Sequence, residues 1–472
     1  MSFIELERLL DRELAVEDNI DLIRLPLSYG GKKFVLYAVD GFIKDEAWTQ
    51  IQRELSHLHE NFTLDHLLQS AIPYVEITTE KDPSLAMDAV LAGQALLLVE
   101  DESKMILLDT RTYPVRSPEE PDTERVVRGA RDGFVETFMF NLALIRRRVR
   151  DKSLRTNYLQ IGKRSKTDVC LVYMEGIASD ELVEEVRSRL KQIDVDGLPM
   201  ADKTLEEYVF GHFYHPYPLV RYTERPDVCA SHLFEGHIVI VVDGSPSVIL
   251  APATFWHHLQ HAEEFRQKPV IGSGMRLIRM LAVWMSIFLL PIWFTLVSVE
   301  GLLPDALSFI GINELGEIPL ILQFIFAEIG VEMLRMAAIH TPSALATALG
   351  LVAAILIGEV AVEVGLFSYE VVLYVAIVSI GSFATSSYEL SLANRYVRQF
   401  LLLSVAFFQL PGLIIGTTMV VILLVYTKSL NAPYLWPFLP FSYKAFKSIV
   451  FRSPIPLLKR RPSIVKPIDQ TR

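Results

Sequence analysis

Residues 34–46 read FVLYAVDGFIKDE, and residues 169–181 read VCLVYMEGIASDE. In each, an apolar run ends in an acidic residue and a glycine, Asp40-Gly41 and Glu175-Gly176, and an Asp-Glu pair follows. The run is the pattern of a buried strand. Carboxylates in a first helical turn favour the free N–H groups and the positive end of the helix dipole, so Asp45-Glu46 and Asp180-Glu181 mark helix starts. A second pair repeats in the same order. Gly93 to Leu107 resembles Gly236 to Leu250, each an apolar strand, a polar turn and a return strand. The turns, Glu100 to Ser103 and Asp243 to Pro246, suit hairpin connections. Matched order across several elements predicts two tandem related α/β subdomains, 30–115 and 165–255, the second continuing through a pre-membrane helix to 270. An N-terminal segment, 1–29, precedes them.

The first 270 of the 472 residues hold no apolar run of the roughly 20 residues that a bilayer crossing needs. Yet the chain is 51% hydrophobic, high for a wholly soluble protein. The lipid-borne part is therefore expected in the second half. Met1 to Leu10 carries Glu5, Glu7 and Arg8 and lacks the basic and apolar regions of a secretory signal, so the soluble half is expected on the cytoplasmic side. A net charge of −11 argues against nucleic acid as a partner. Cys170 and Cys229, without CxxC spacing, read as small buried residues.

Residues 116–164 join the copies. Ser117-Pro118-Glu119-Glu120-Pro121-Asp122-Thr123-Glu124 is an acidic linker in which proline stops helix and central strand alike. A helix with Phe134, Phe138, Leu142, Ile145 and Val149 on one face follows, with Asp132 as its expected cap. It ends in Arg146, Arg147, Arg148 and Arg150. This cluster suits a helix C-terminus, and it is a candidate contact for a neighbouring subunit, a carboxylate or an anionic lipid. A solvated helix end paired with local carboxylates is the plainer alternative.

The run 124–150, ERVVRGARDGFVETFMFNLALIRRRVR, resembles the signature of A subunits of the GerA family of spore germination receptors. There, a turn like RGPREGF precedes a helix ending in arginines. Ala130 stands where proline is common. HPYPLVRYTERPDV (215–228), VEVGLFS (362–368) and SYELSLANR (387–395) extend the resemblance over most of the chain. TFWHHLQHAEEFR (254–266) is more similar to the SpoVAF branch of that family. His257 and His261, four apart, raise metal binding, but no third ligand is apparent; an amphipathic helix entering the membrane is the alternative.

Ile278 to Val299 is the clearest span of a helical membrane domain at 271–440. Arg266, Lys268, Arg276 and Arg279 precede or open it, whereas the following loop carries Glu300, Asp305, Glu314 and Glu317. Further apolar stretches run over 318–335, 344–366, 371–386 and 400–426, and a basic tail occupies 441–472. The charges place both ends in the cytoplasm, which requires an even number of crossings, yet five stretches are counted. A kink or re-entrant turn at Pro411-Gly412, or a dip by Tyr434 to Phe441, would restore parity. Glu328, Glu332 and Arg335 share one helix face, and Glu359 and Glu363 form a second pair. A charge at bilayer centre costs about 2.5 kcal/mol or more, so these groups face protein or water. They form either an acidic ion path or ion pairs with packing roles. Ser382, Thr385 and Ser386 add hydroxyls that line a conduit or allow close packing.

The resemblance implies a homo-oligomeric, cation-conducting channel of the endospore inner membrane, working beside other germination membrane proteins. A non-conducting scaffold and a secondary transporter are the rival expectations. No P-loop, nucleophile elbow, HExxH or dinucleotide fingerprint occurs, so neither catalysis nor a cofactor is expected.

Overall fold

The run at 32–39 is apolar at consecutive positions because its strand is covered on both faces. Phe34, Leu36 and Ala38 enter one core layer; Val35, Tyr37 and Val39 enter the other. The computed structural model describes residues 2–472 apart from 44, 60–61, 69–71, 73–76, 111–120, 122–123, 212, 313–316, 341–349 and 353–358, with backbone alone at 45, 47 and 338–340. The expected linker lies largely outside the described residues, and so does most of the apolar stretch 344–366.

Two five-stranded antiparallel sheets result. The first contains β1 (Leu22–Tyr29), β2 (Lys32–Val39), β3 (Ile77–Glu80), β4 (Ala95–Val99) and β5 (Met105–Leu108), in the order β1-β2-β4-β5-β3. The second contains β6 (Leu154–Ile161), β7 (Thr167–Met174), β8 (Arg221–Thr223), β9 (Ile238–Val242) and β10 (Val248–Ala251), in the order β6-β7-β9-β10-β8. The permutation is the same. Three helices match in order: α1 (Phe3–Leu14), α2 (Asp45–Leu55) and α3 (Pro83–Leu91) of the first unit stand where α4 (Phe138–Arg148), α5 (Asp180–Lys191) and α7 (Pro226–Glu235) stand in the second, which also carries α6 (Ala201–Phe210). Gly41 and Gly176 end the matched strands at φ +78° and +75°, a left-handed conformation that glycine adopts without steric cost.

Each sheet takes in a strand that lies before 30 or 165, β1 in the first and β6 in the second, with α1 and α4 ahead of them in the chain. Pro26 in β1 and the mixed polarity of β6 disguised these strands, which lie at sheet edges where a ladder tolerates both. Helix α4 also starts later than expected. The Phe134 N–H donates to the Glu224 carbonyl at 2.8 Å, which keeps the chain extended, and Asp132 accepts from Arg148 instead of capping.

Beyond the sheets, 254–266 is not one amphipathic helix. A single turn at His257–Leu259 breaks at Gln260, whose φ/ψ is extended; His261 then caps the short helix α8 (Ala262–Arg266). The long helices follow: α9 (Pro269–Ser298), α10 (Leu320–His340), α11 (Tyr369–Phe383) and α12 (Tyr388–Tyr426). Helix α12 is two legs. Gln409 has φ 51° and ψ −134°, and a Cβ at Gly412 would collide with the Ser404 carbonyl. One at Gly416 would meet Ser404 Oγ at 3.3 Å. In a straight helix residues 404 and 416 would stand about 18 Å apart, so the chain folds back on itself.

The first leg of α12 starts, and the second ends, beside the sheets. His215 Nε2 lies 2.6 Å from Thr427 Oγ1, and Arg335 near the end of α10 covers the Tyr388 ring at 5.1 Å. At the far end, Gln323 accepts from the Ser368 N–H at 2.9 Å, and Glu317 donates its N–H to Gly365 at 3.2 Å. The tail returns to the second sheet: helix α13 (Tyr443–Val450) leads to a contact of the Ile468 N–H with the Ile177 carbonyl at 3.0 Å.

Candidate functional site

The stretch 381–391, GSFATSSYELS, ends α11 and begins α12. Gly381 permits the approach: a Cβ there would lie 2.6 Å from the Ala282 carbonyl of α9. The hydroxyls close on backbone. Ser382 donates to Val378, Thr385 to Gly381 and Ser386 to the Leu259 carbonyl, at 3.0, 3.3 and 3.3 Å, while Ser391 donates to Ser382 at 2.9 Å. Ser387 caps α12, accepting from the Leu390 N–H.

This turn forms one wall of a cavity of about 430 Å³ at the junction of sheets and helices. Arg221, Thr223 and Glu124 form the opposite wall, with Arg335 at the side. Thr223 and the Glu224 N–H donate to Glu124, and Arg221 Nη1 donates to the His257 carbonyl at 3.0 Å. A second void of about 10 Å³ borders it, lined by Glu328, Ser382, Arg395 and Arg398. Ser382 and Phe383 line both spaces. All three nominated hydroxyl residues, Ser382, Thr385 and Ser386, therefore meet at one place.

The nominated acids do not form a bare acidic path. Glu328 is 4% exposed and accepts from Arg398 Nε at 2.5 Å and Gln399 Nε2 at 3.1 Å. Glu332 pairs with Arg335 at 2.6 Å and with Arg395. Carboxylates removed from water need such partners, because an unpaired charge there costs several kcal/mol. Glu359 and Glu363 are exposed and stand towards the far end, near Gly365, away from Glu328. The residues that the sequence analysis did not nominate are Arg395 and Arg398. Their spacing of three on α12, opposite three like-spaced charges on α10, is the signal that pairs them.

The arginine cluster of α4 also divides. Arg146 is fully buried and holds Asp21 through two bonds of 2.7 and 3.0 Å, joining the second unit to the first. It is thus no surface contact. Arg148 pairs with Asp132 at 2.5 Å. Arg147 is half-buried and Arg150 exposed, with Arg150 Nε donating to the Arg147 carbonyl at 3.3 Å.

His257 does not meet His261. It joins His232 and His237, with ring centroids 5.0 to 5.9 Å apart, all three buried. Burial pushes His237 down to about 4 and neighbouring His258 to about 3. The Thr254 N–H donates to His257 Nδ1 at 3.0 Å, which places the proton of the neutral ring on Nε2. Among the described residues no group of three His, Cys, Asp or Glu is arranged to hold a metal.

The profile of the Bacillus/Clostridium GerA spore germination protein family matches residues 9–464. The chain is 48% identical over 445 residues to stage V sporulation protein AF of Bacillus subtilis (strain 168), covering 93% of this chain and 90% of that one. It is 33% identical over 399 residues to spore germination protein A1 of the same organism, covering 84% and 82%. The crystal structure of the N-terminal domain of the A subunit of the Bacillus megaterium spore germinant receptor GerK3 aligns with a TM-score of 0.41 and 25% identity, over 53% of this chain and 94% of that one. Signature, duplicated sheets and helical half thus lie within one matched span, and the chain belongs to the GerA family of spore germination proteins.

Proposed function

We propose that the chain is a membrane subunit of a bacterial spore germination complex, and that copies of it assemble into a cation-conducting channel of the spore inner membrane. The first clause draws on the germination and sporulation proteins it is similar to. Membrane insertion is supported by α9, which is long and apolar enough to cross, by the apolar legs of α12, and by large apolar side chains on their outer faces. Ile278 is 70% and Phe407 77% exposed. The helical hairpin within α12 supports an even number of crossings, because its first leg starts and its second leg ends beside the sheets. Contacts of the tail with the second unit, Ile468 N–H to the Ile177 carbonyl and Arg461 Nε to the Phe234 carbonyl, support sheets and tail on one side, and the basic residues flanking α9 and filling the tail favour the cytoplasm for that side.

Conduction rests on one observation: Ser382 lines both the junction cavity and the void beside the Glu328–Arg398 pair. Hydroxyls at such a constriction can replace part of an ion's hydration shell. The ion-paired carboxylates then hold α10 against α12 while the path is shut. The test is ion flux from liposomes holding the purified full chain, compared with Ser382→Leu at equal oligomer yield. Flux that the leucine variant reduces supports the channel; equal flux in both contradicts a path at this turn. The same pairing of Glu328 and Glu332 favours a second reading, a non-conducting scaffold whose buried charges serve packing, and that reading predicts no flux from either protein.

A further inference from the structure

A layer of aromatic rings runs beneath the apolar helices. Tyr217 contacts Phe255 at 6.4 Å, Phe255 contacts Trp256 at 5.2 Å, Trp256 stacks on Phe438 at 4.3 Å, and Phe438 meets Phe446 of α13 at 4.9 Å. The layer sits level with the ends of the long helices. The bond between His215 and Thr427 ties it to the residue that follows α12, and Arg276 of α9 donates to the Ser448 and Ile449 carbonyls at 2.8 and 2.7 Å, which ties it to the first turns of α9.

At its margin, large side chains point outward instead of joining the core. Tyr214 is 101% exposed, Phe213 76%, Tyr443 68% and Phe441 66%. Helix α13 shows why its own members do so. Ile449 is buried and Phe446 packs on the layer, whereas Lys444 and Lys447, also three apart, occupy the exposed side. A short helix with one apolar face, aromatic ends and lysines on the other side fits the boundary between hydrocarbon and headgroups. Aromatic rings there keep one edge apolar and one wet, and lysine stems reach up to phosphate.

We propose that Phe213, Tyr214 and helix α13 form an interfacial collar that rests the α/β region on the bilayer and binds anionic phospholipid headgroups through Lys444 and Lys447. The inference depends on the reading that α9 to α12 lie in the membrane. Two observations commit it to lipid: His215 and α13 are bonded to the ends of the apolar helices α12 and α9, and the exposed charges of the patch are complementary to phosphate. The collar would fix the height of the junction cavity relative to the membrane surface.

Spin labels on single added cysteines test it in the full chain reconstituted into liposomes. Cys170 and Cys229 are both fully buried, and burial pushes the Cys229 thiol up, so they stay unlabelled. Labels at Tyr214→Cys and Tyr443→Cys are compared with Phe407→Cys as the lipid reference and Lys163→Cys as the water reference. Expected is an oxygen and nickel-complex accessibility at 214 and 443 between the two references, with lower mobility when the liposomes contain phosphatidylglycerol. The lipid-dependent change should disappear in Lys444→Gln/Lys447→Gln. If 407 reads as lipid while 214 and 443 read like 163, the collar is wrong although the membrane reading stands. If 407 reads as water, both fall. Labels shielded from oxygen and nickel alike would show a protein neighbour on this face and overturn the lipid assignment, and an unchanged lipid response in the double glutamine variant would overturn the role of the lysines.

Discussion

Arg146 and Asp21 show how a surface-looking motif becomes structural. An arginine run at a helix end invites a partner, but the first arginine turns inward and meets an aspartate 125 positions earlier, with Thr156 Oγ1 donating to the same carboxylate at 2.6 Å. Arg146→Ala would leave Asp21 buried without its cation, at a cost of about 3–5 kcal/mol. Chemical unfolding of the purified chain should show that loss. Asp21→Leu/Arg146→Met, which removes both charges, should recover most of it. The buried imidazoles make a second prediction. Those of His232, His237, His257 and His258 all take up protons less readily in the folded state than in the unfolded chain. The unfolded state therefore binds more protons in acid, so stability is intact above about pH 6.5 and falls as pH drops towards 4. His237, whose ring nitrogens have no hydrogen-bond partner among the described residues, alone contributes on the order of 3 kcal/mol to that fall. His237→Phe should flatten the acid limb of a stability profile; an unaltered limb would show that this ring is not the source. None of these pairings was legible beforehand, because sequence gives spacing along an element but not the residue that faces it from a distant one.

Elements were more legible than contacts. The paired runs at 34–46 and 169–181 located β2, β7 and the helices after them, because consecutive apolar residues closed by an acid and a glycine leave few other structures open. The edge strands β1 and β6 escaped, since half-exposed strands carry a polar pattern that loops share. The break in α12 was half-visible: Pro411-Gly412 announced a kink, but only the approach of Gly412 to Ser404 shows two antiparallel legs. Gly412→Val should therefore cost about 1–3 kcal/mol or more through overpacking and lower the yield of folded protein in detergent. Gly274→Ala on α9, where an added Cβ meets nothing within 4 Å, is the control and should leave yield unchanged. Equal yields from the two would contradict the fold-back.

At the scale of the molecule, the tail returns to the second unit, where it docks on α7 through Arg461 Nε and the Phe234 carbonyl at 2.7 Å. Cysteines placed at Lys163 and Lys459 should accordingly react with an impermeant thiol reagent from the same side of sealed vesicles; labelling from opposite sides would contradict the proposed even number of crossings. The central claim is that cations cross the membrane beside Ser382. Arg335, Arg395 and Arg398 outnumber Glu328 and Glu332 around that point, so the sign of the carried ion is the sharpest readout. The most direct test is the reversal potential of currents through the purified chain in a planar bilayer under a potassium chloride gradient. The account predicts a reversal displaced towards the potassium equilibrium potential and a smaller current in Ser382→Leu. Reversal towards the chloride potential, or no current from correctly assembled protein, would contradict it.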